Sequence, residues 1–218
     1  MLRRKKRLST QILRRFVGFY SLIGSSFSGC SGLTSVSLPE GITSIEAYAF
    51  YRCSSLRLVS IPSSVTYIGT SAFAETGLIS IAIPSSVVEF GEEVFVSNKL
   101  LKSIFIGAGV QNLSSKCFDL RNATKIIYPA HLEEVFRDFW AYFKIPYEES
   151  TIEDIKVAED GAVYSADGMT LIYVPSAYSG AFSIPAGVTA IGAYAFVDCN
   201  EITSVDIPAS VTYVGIFS

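Results

Sequence analysis

One histidine, His131, occurs in the 218 residues. A serine or cysteine nucleophile that relies on an imidazole base would have to use it. No Gly-x-Ser-x-Gly elbow is present, and His131 stands just after Pro129 at the start of a helical pattern. It is expected to be an exposed helix-start residue rather than a base. The carboxylates come as neighbours: Glu92-Glu93, Glu133-Glu134, Glu148-Glu149 and Glu153-Asp154. Adjacent residues on a helix or strand point in different directions, so these read as solvated charges rather than acid/base pairs. Asp160 and Asp167 precede glycines in turns but lack calcium-loop spacing. The cysteines Cys30, Cys53, Cys117 and Cys199 form no Cys-x-x-Cys and pair with no histidine at zinc-ligand spacing. No glycine-rich phosphate cradle occurs either. The expectation is a chain that is not an enzyme, with no cofactor and no metal.

Composition narrows the class further. Half of the residues are hydrophobic and 17% are charged, which excludes a disordered chain. The mean hydropathy of +0.40 comes without an 18-residue apolar run, so no membrane span is expected. Charge is unevenly placed. Residues 1–15 hold seven of the 17 Lys/Arg and no acid, leaving 10 basic against 20 acidic residues, a net −10, for residues 16–218. An acidic body argues against nucleic acid as a partner.

What remains is a repeat. Phe27, Phe50, Phe73, Phe95 and Phe118 recur every 22 or 23 residues, as do Pro39, Pro62 and Pro84, with Gly107 in the next slot. Val36/Leu38, Val59/Ile61, Ile81/Ile83, Ile104/Ile106 and Val205/Ile207 alternate with other residues, the period of a strand buried on one side. A second short alternation follows, as in Ile42/Ile45 and Val65/Ile68, and Gly69, Gly91, Gly192 and Gly215 end it. The next stretch, such as Ala47-Tyr48-Ala49-Phe50, suits one helical or 3₁₀ turn. One unit cannot bury its apolar face alone, whereas parallel stacking gives a continuous core.

The pattern L-x-x-V-x-I-P-x-x-V-x-x-I-G-x-x-A-F-x-x-C, over roughly residues 19–129 and 162–218, resembles the BspA-like (Treponema pallidum-type) leucine-rich repeats. The resemblance implies a right-handed solenoid of short parallel strands. It also implies a surface-exposed or secreted protein that binds host, matrix or neighbouring-cell proteins, and the family has no shared catalytic residue to carry over. The competing reading is an architectural spacer or intracellular scaffold segment with no ligand of its own.

Three blocks are expected: a basic tail over 1–18, a repeat block over 19–150, and a second block over 151–218. Leu132, Val135, Phe136, Phe139 and Phe143 fall at helical spacing within 130–143, predicting an amphipathic helix that caps the first block. A docking surface around Trp140 is the alternative. Asp167-Gly168, between the alternating runs 162–165 and 170–174, predicts a hairpin that opens the second block. Similar hairpins open new repeat runs in the BspA-like family. Whether the blocks form one continuous solenoid is not legible at this level. The tail offers a signal-like basic run with a broken apolar core, an amphipathic basic helix, or a plain tail, of which the last is preferred. The last repeat stops after Val214-Gly215, so a fragment of a longer protein is the expectation. Cys30, Cys53 and Cys199 each follow a repeat phenylalanine by three positions, which suits small buried thiols in an interior ladder.

Stacked strands would set outward residues in rows one coil apart. One row is Ser37, Ser60, Ala82, Phe105 and Ile127; another is Ser44, Tyr67, Glu89 and Asn112, with Tyr213 in the second block. Of these, Ser37, Ser60, Phe105, Ser44, Tyr67, Glu89, Asn112 and Tyr213 form the expected partner-binding surface. Ordinary β-surface composition is the alternative.

Overall fold

The computed structural model describes residues 21–22, 24–123, 125–137, 154–216 and 218. The basic tail and positions 138–153, including Phe139, Trp140, Phe143 and Glu148-Glu149, lie outside the described residues. The chain winds into a parallel-strand solenoid of about eight coils with little helix.

In the first block the coils contribute a leading strand, a following strand or both, and three of them contribute both. The leading strands are β2 (Ser35–Ser37), β4 (Leu58–Ser60), β6 (Ser80–Ile83), β8 (Ser103–Ile106) and β9 (Lys125–Ile127). The following strands are β1 (Ser21–Leu22), β3 (Ser44–Ile45), β5 (Tyr67–Ile68) and β7 (Glu89–Phe90). The following strands pair in parallel in the order β1-β3-β5-β7, and the leading strands form two ladders, β2-β4 and β6-β8-β9. Alternation works as the sequence predicts. Val36, Val59, Ile81 and Ile104 point inward and are buried, as are Ile45 and Ile68 one strand further on. The repeat phenylalanines complete the core as one column, Phe27, Phe50, Phe73, Phe95 and Phe118, with ring centroids 5.4, 5.2, 5.5 and 5.1 Å apart and planes within 9°.

The segments around that column are hydrogen-bonded turns rather than helical ones in the coils through Val96. Backbone amides donate alternately to their own turn and to the next coil. Ala49 N donates to Glu46 O, while Tyr48 N and Phe50 N donate to Thr70 O and Ala72 O. This ladder needs left-handed backbone at Tyr48, Arg52, Ser71 and Glu75, so a continuous helical turn cannot form. Three-residue 3₁₀ turns enter later, at Ser115–Cys117, Leu120–Asn122 and Ala130–Leu132. Helical backbone follows from 133 to 137, and Leu132 and Phe136 are buried in the first block's core.

The second block holds β10 (Ile155–Val157), β11 (Val163–Ser165), β12 (Thr170–Tyr173), β13 (Gly180–Ser183), β14 (Ala190–Ile191), β15 (Ile202–Asp206) and β16 (Tyr213–Val214). The expected hairpin is β11-β12, antiparallel, with Gly168 at φ +78° and Asp167 Oδ1 accepting from Met169 N at 2.8 Å. β10 adds a third antiparallel strand ahead of the hairpin, and the sheet runs β10-β11-β12-β14-β16.

The two blocks pack face to face in this region. Ile155, Val163, Ile172 and Tyr173 cover Ala82, Phe105 and Ile127 in a single apolar cluster. Polar ties surround it. Asp154 Oδ1 accepts from Ala108 N at 3.2 Å and from Ser85 Oγ, Lys102 pairs with Asp198 at 2.9 Å, and Lys125 Nζ reaches Ala193 O at 3.4 Å.

Candidate protein-contact surface

The packing of the blocks decides which expected surface residues are accessible. Phe105 is not one of them. It is 0% exposed, and its ring lies 4.6 Å from that of Tyr173. The row built on β2, β4, β6, β8 and β9 changes along its length from Ser37 and Ser60 to Ala82, Phe105 and Ile127. The apolar end is where the second block sits. Ser37 is exposed, while Ser60 is half-buried and donates through Oγ to Ala158 O at 3.3 Å.

The other row holds together. Ser44 is in register with Tyr67, Tyr67 with Glu89, and Glu89 with Asn112. Ser44 and Tyr67 are half-buried, and Glu89 and Asn112 are exposed. Ser44 Oγ donates to Glu46 Oε1 at 2.7 Å, which anchors the first hydroxyl. Tyr213 is 62% exposed but belongs to β16 in the second block's sheet, so the structure does not join it to this row.

A neighbouring cluster was missed by the sequence reading. Glu75 accepts from Tyr51 Oη at 2.8 Å and pairs with Arg52 Nε at 3.0 Å, and Arg52 also lies over the Tyr51 ring at 4.9 Å. Tyr48, 44% exposed, meets Tyr51 edge to face. The Tyr51 hydrogen bond, then the Arg52 guanidinium, holds the Glu75 carboxyl below its usual range. The signal was present in the repeat length, because Arg52 and Glu75 are 23 residues apart and so stack in adjacent coils. These side chains are fixed before any partner arrives, which lowers the ordering cost of contact.

His131 is exposed and its Nε2 lies 2.7 Å from Val110 O. A carbonyl only accepts, so Nε2 carries the proton. Cys53 and Cys117 are buried, Cys30 and Cys199 half-buried, and all four are free thiols. Cys53 Sγ donates to Phe27 O at 3.1 Å and Cys199 Sγ to Val174 O at 3.4 Å. Burial pushes the Cys53 thiol up to about 12 and Cys199 up to about 11. Thiols held this far into the protonated form are poor nucleophiles and poor metal ligands. Asn98 fills the equivalent slot in the fourth coil, fully buried. Its Oδ1 accepts from Thr76 N and Oγ1 at 2.8 and 2.7 Å, and its Nδ2 donates to Phe73 O and Phe95 O at 2.9 and 3.0 Å. Among the described residues no cluster of three or more His, Cys, Asp or Glu gathers to hold a metal.

Coiled parallel strands, a phenylalanine column and surface rows one coil apart define a leucine-rich-repeat solenoid. The profile of the BspA type leucine rich repeat region matches six copies over residues 21–145 and 177–218, and the chain belongs to that family. No curated protein sequence matches it. Among solved structures it is similar to a leucine rich cell surface protein of Faecalibacterium prausnitzii, with 27% identity over 88% of this chain and 40% of that one, at a TM-score of 0.37. A leucine-rich repeat protein of Bacteroides ovatus shares 25% identity over 89% of this chain and 48% of its own, at 0.42. The T. pallidum leucine rich repeat protein shares 19%, covering 88% and 64%, at 0.45. The chain therefore spans less than two thirds of each of these proteins.

Proposed function

We propose that the chain is a non-enzymatic protein-recognition module of a cell-surface or secreted protein. Its partner is a protein of a host, a matrix or a neighbouring cell. The contact face is the row Ser44, Tyr67, Glu89 and Asn112, extended by the Tyr48–Tyr51–Arg52 cluster. Membership of a repeat family found in surface proteins supports the setting. The observation that carries the reading is the row itself: a hydroxyl, a phenol, a carboxylate and an amide, in register over four coils, half-buried at Ser44 and Tyr67 and exposed at Glu89 and Asn112, beside a strand face whose apolar end is sealed. Tyr and Arg are the residue types that concentrate binding energy at interfaces.

The test pairs location with binding. Intact source cells are shaved with protease, and the purified chain is measured against matrix proteins and whole neighbouring cells. Peptides of this chain should be released from unlysed cells. Tyr67→Ala/Glu89→Ala should weaken binding at least tenfold with an unchanged circular dichroism spectrum. Release only after lysis, or equal binding by the variant, would support the spacer reading instead.

A further inference from the structure

Among the described residues, the second block covers β4 only in part, through Ser60 on Ala158 O, and leaves Ser35 and Ser37 of β2 exposed. Between these strands and the loop after β10 runs a groove of about 250 Å³, whose lining includes Ser37, Glu40, Ser60, Ser63, Val157 and Glu159. Glu40 and Glu159 are exposed, and the lining contains two carboxylates and no Lys or Arg. Ser60, bonded to Ala158 O, ties the groove floor to the loop that forms its wall. The cations nearest in sequence are engaged elsewhere. Arg57 donates to Gly77 O at 2.9 Å, and Lys156 lies toward Gly168 of the hairpin turn. A cavity of about 150 Å³ holds a benzene-sized group, so this groove takes one long side chain with room to spare.

The chain carries a matching segment. Residues 3–15 contain Arg3, Arg4, Lys5, Lys6, Arg7, Arg14 and Arg15 and no acid, against an acidic remainder. Reach is sufficient. Ser21 pairs with Ser44, and Glu40 is four residues before Ser44, so Glu40 lies within about 20 Å of Ser21. Arg15 and Lys5 precede Ser21 by six and sixteen residues, a span of up to roughly 20 and 60 Å. We propose that this basic segment docks along the groove of its own chain, its Lys and Arg heads on Glu40 and Glu159. Docked there, it covers the part of the leading-strand face that the second block leaves open. The contact is between exposed charges and is therefore weakened by salt.

Zero-length carbodiimide cross-linking of the full chain tests it, since the reagent joins a carboxylate to a lysine amine in direct contact. Peptides joining Lys5 or Lys6 to Glu40 or Glu159 should dominate the products in the monomer band. They should fall at least fivefold at 0.5 M salt. In Glu40→Gln/Glu159→Gln, whose fold is checked by circular dichroism, the same lysines should lose their main cross-link. Cross-links spread evenly over other carboxylates would overturn the proposal. So would none from Lys5 or Lys6, or the same links found only in covalent dimers, which would seat the segment on a second copy.

Discussion

Replacing Phe105 by alanine separates a sealed strand face from an open one. The ring is buried, packed at a tilt against Tyr173 and surrounded by Ile127, Ile155, Val163 and Ile172. A buried phenylalanine removes roughly 150–250 Å² from water. At about 25 cal/mol/Å² that is an upper estimate of about 4–6 kcal/mol. Core Phe→Ala changes cost about 3–5 kcal/mol once partial collapse of the cavity is included, and that range is the expectation here. A surface phenylalanine would cost about 0.5 kcal/mol or less. Urea denaturation followed by circular dichroism measures the total, and hydrogen exchange locates it. Amide protection should fall first over 155–173, while the coils carrying Phe50 and Phe73 keep theirs, because local opening follows local contacts. Tyr173→Ala should be non-additive with it by about 0.5–1.5 kcal/mol. A loss under about 0.5 kcal/mol, or unchanged exchange over 155–173, would refute the covered face.

Three further perturbations probe the coil itself. A Cβ at Gly69 would stand 2.5 Å from Ala47 N and 2.8 Å from Glu46 C, so Gly69→Ala should destabilise by about 1–3 kcal/mol; Gly32→Ala, with nothing within 4 Å, should stay within about 0.5 kcal/mol in the same denaturation assay. Asn98→Ala should cost at least about 2 kcal/mol, because it strands Thr76 N and two carbonyls in the interior, and a smaller loss would mean that the site is wet. Cys53 should resist iodoacetamide at pH 8 until the chain unfolds. Its raised folded-state pKa favours the thiol, so its contribution to stability is complete below about pH 8.5 and is lost as pH rises toward 12, and rapid native alkylation would contradict that burial.

Residues that repeat in phase were legible because the same environment recurs in every coil. Phe27 through Phe118, the inward pairs from Val36/Leu38 to Ile104/Ile106 and the Asp167-Gly168 hairpin lie where the pattern placed them, whereas Val205 of β15 and Ile207 just after it, expected on a buried face, are exposed at the edge of the β13-β15 ladder. The turns around the phenylalanine column were read as helical because short runs such as Ala47-Tyr48-Ala49-Phe50 carry helix-compatible residues. Bonds to the next coil overrode that preference and put Tyr48 and Arg52 in left-handed backbone. The covering of Phe105 depends on contacts between residues about seventy positions apart, which a local period cannot encode. The drift from Ser37 and Ser60 to Ala82, Phe105 and Ile127 was nonetheless its trace: a row turns apolar where something lies on it. Tyr51, Arg52 and Glu75 went unnoticed because they join across coils rather than along the chain.

One measurement addresses the open row and the sealed face together. A small diazirine amino acid is placed at position 67, 89 or 105, and the chain is irradiated on cells that display it or in contact with neighbouring cells. Positions 67 and 89 should yield adducts to another protein, and position 105 should yield only internal links, to the segment 155–173 and to its strand neighbours Ala82 and Ile127. Intermolecular adducts from 105 but none from 67 or 89 would contradict both the buried face and the proposed contact row.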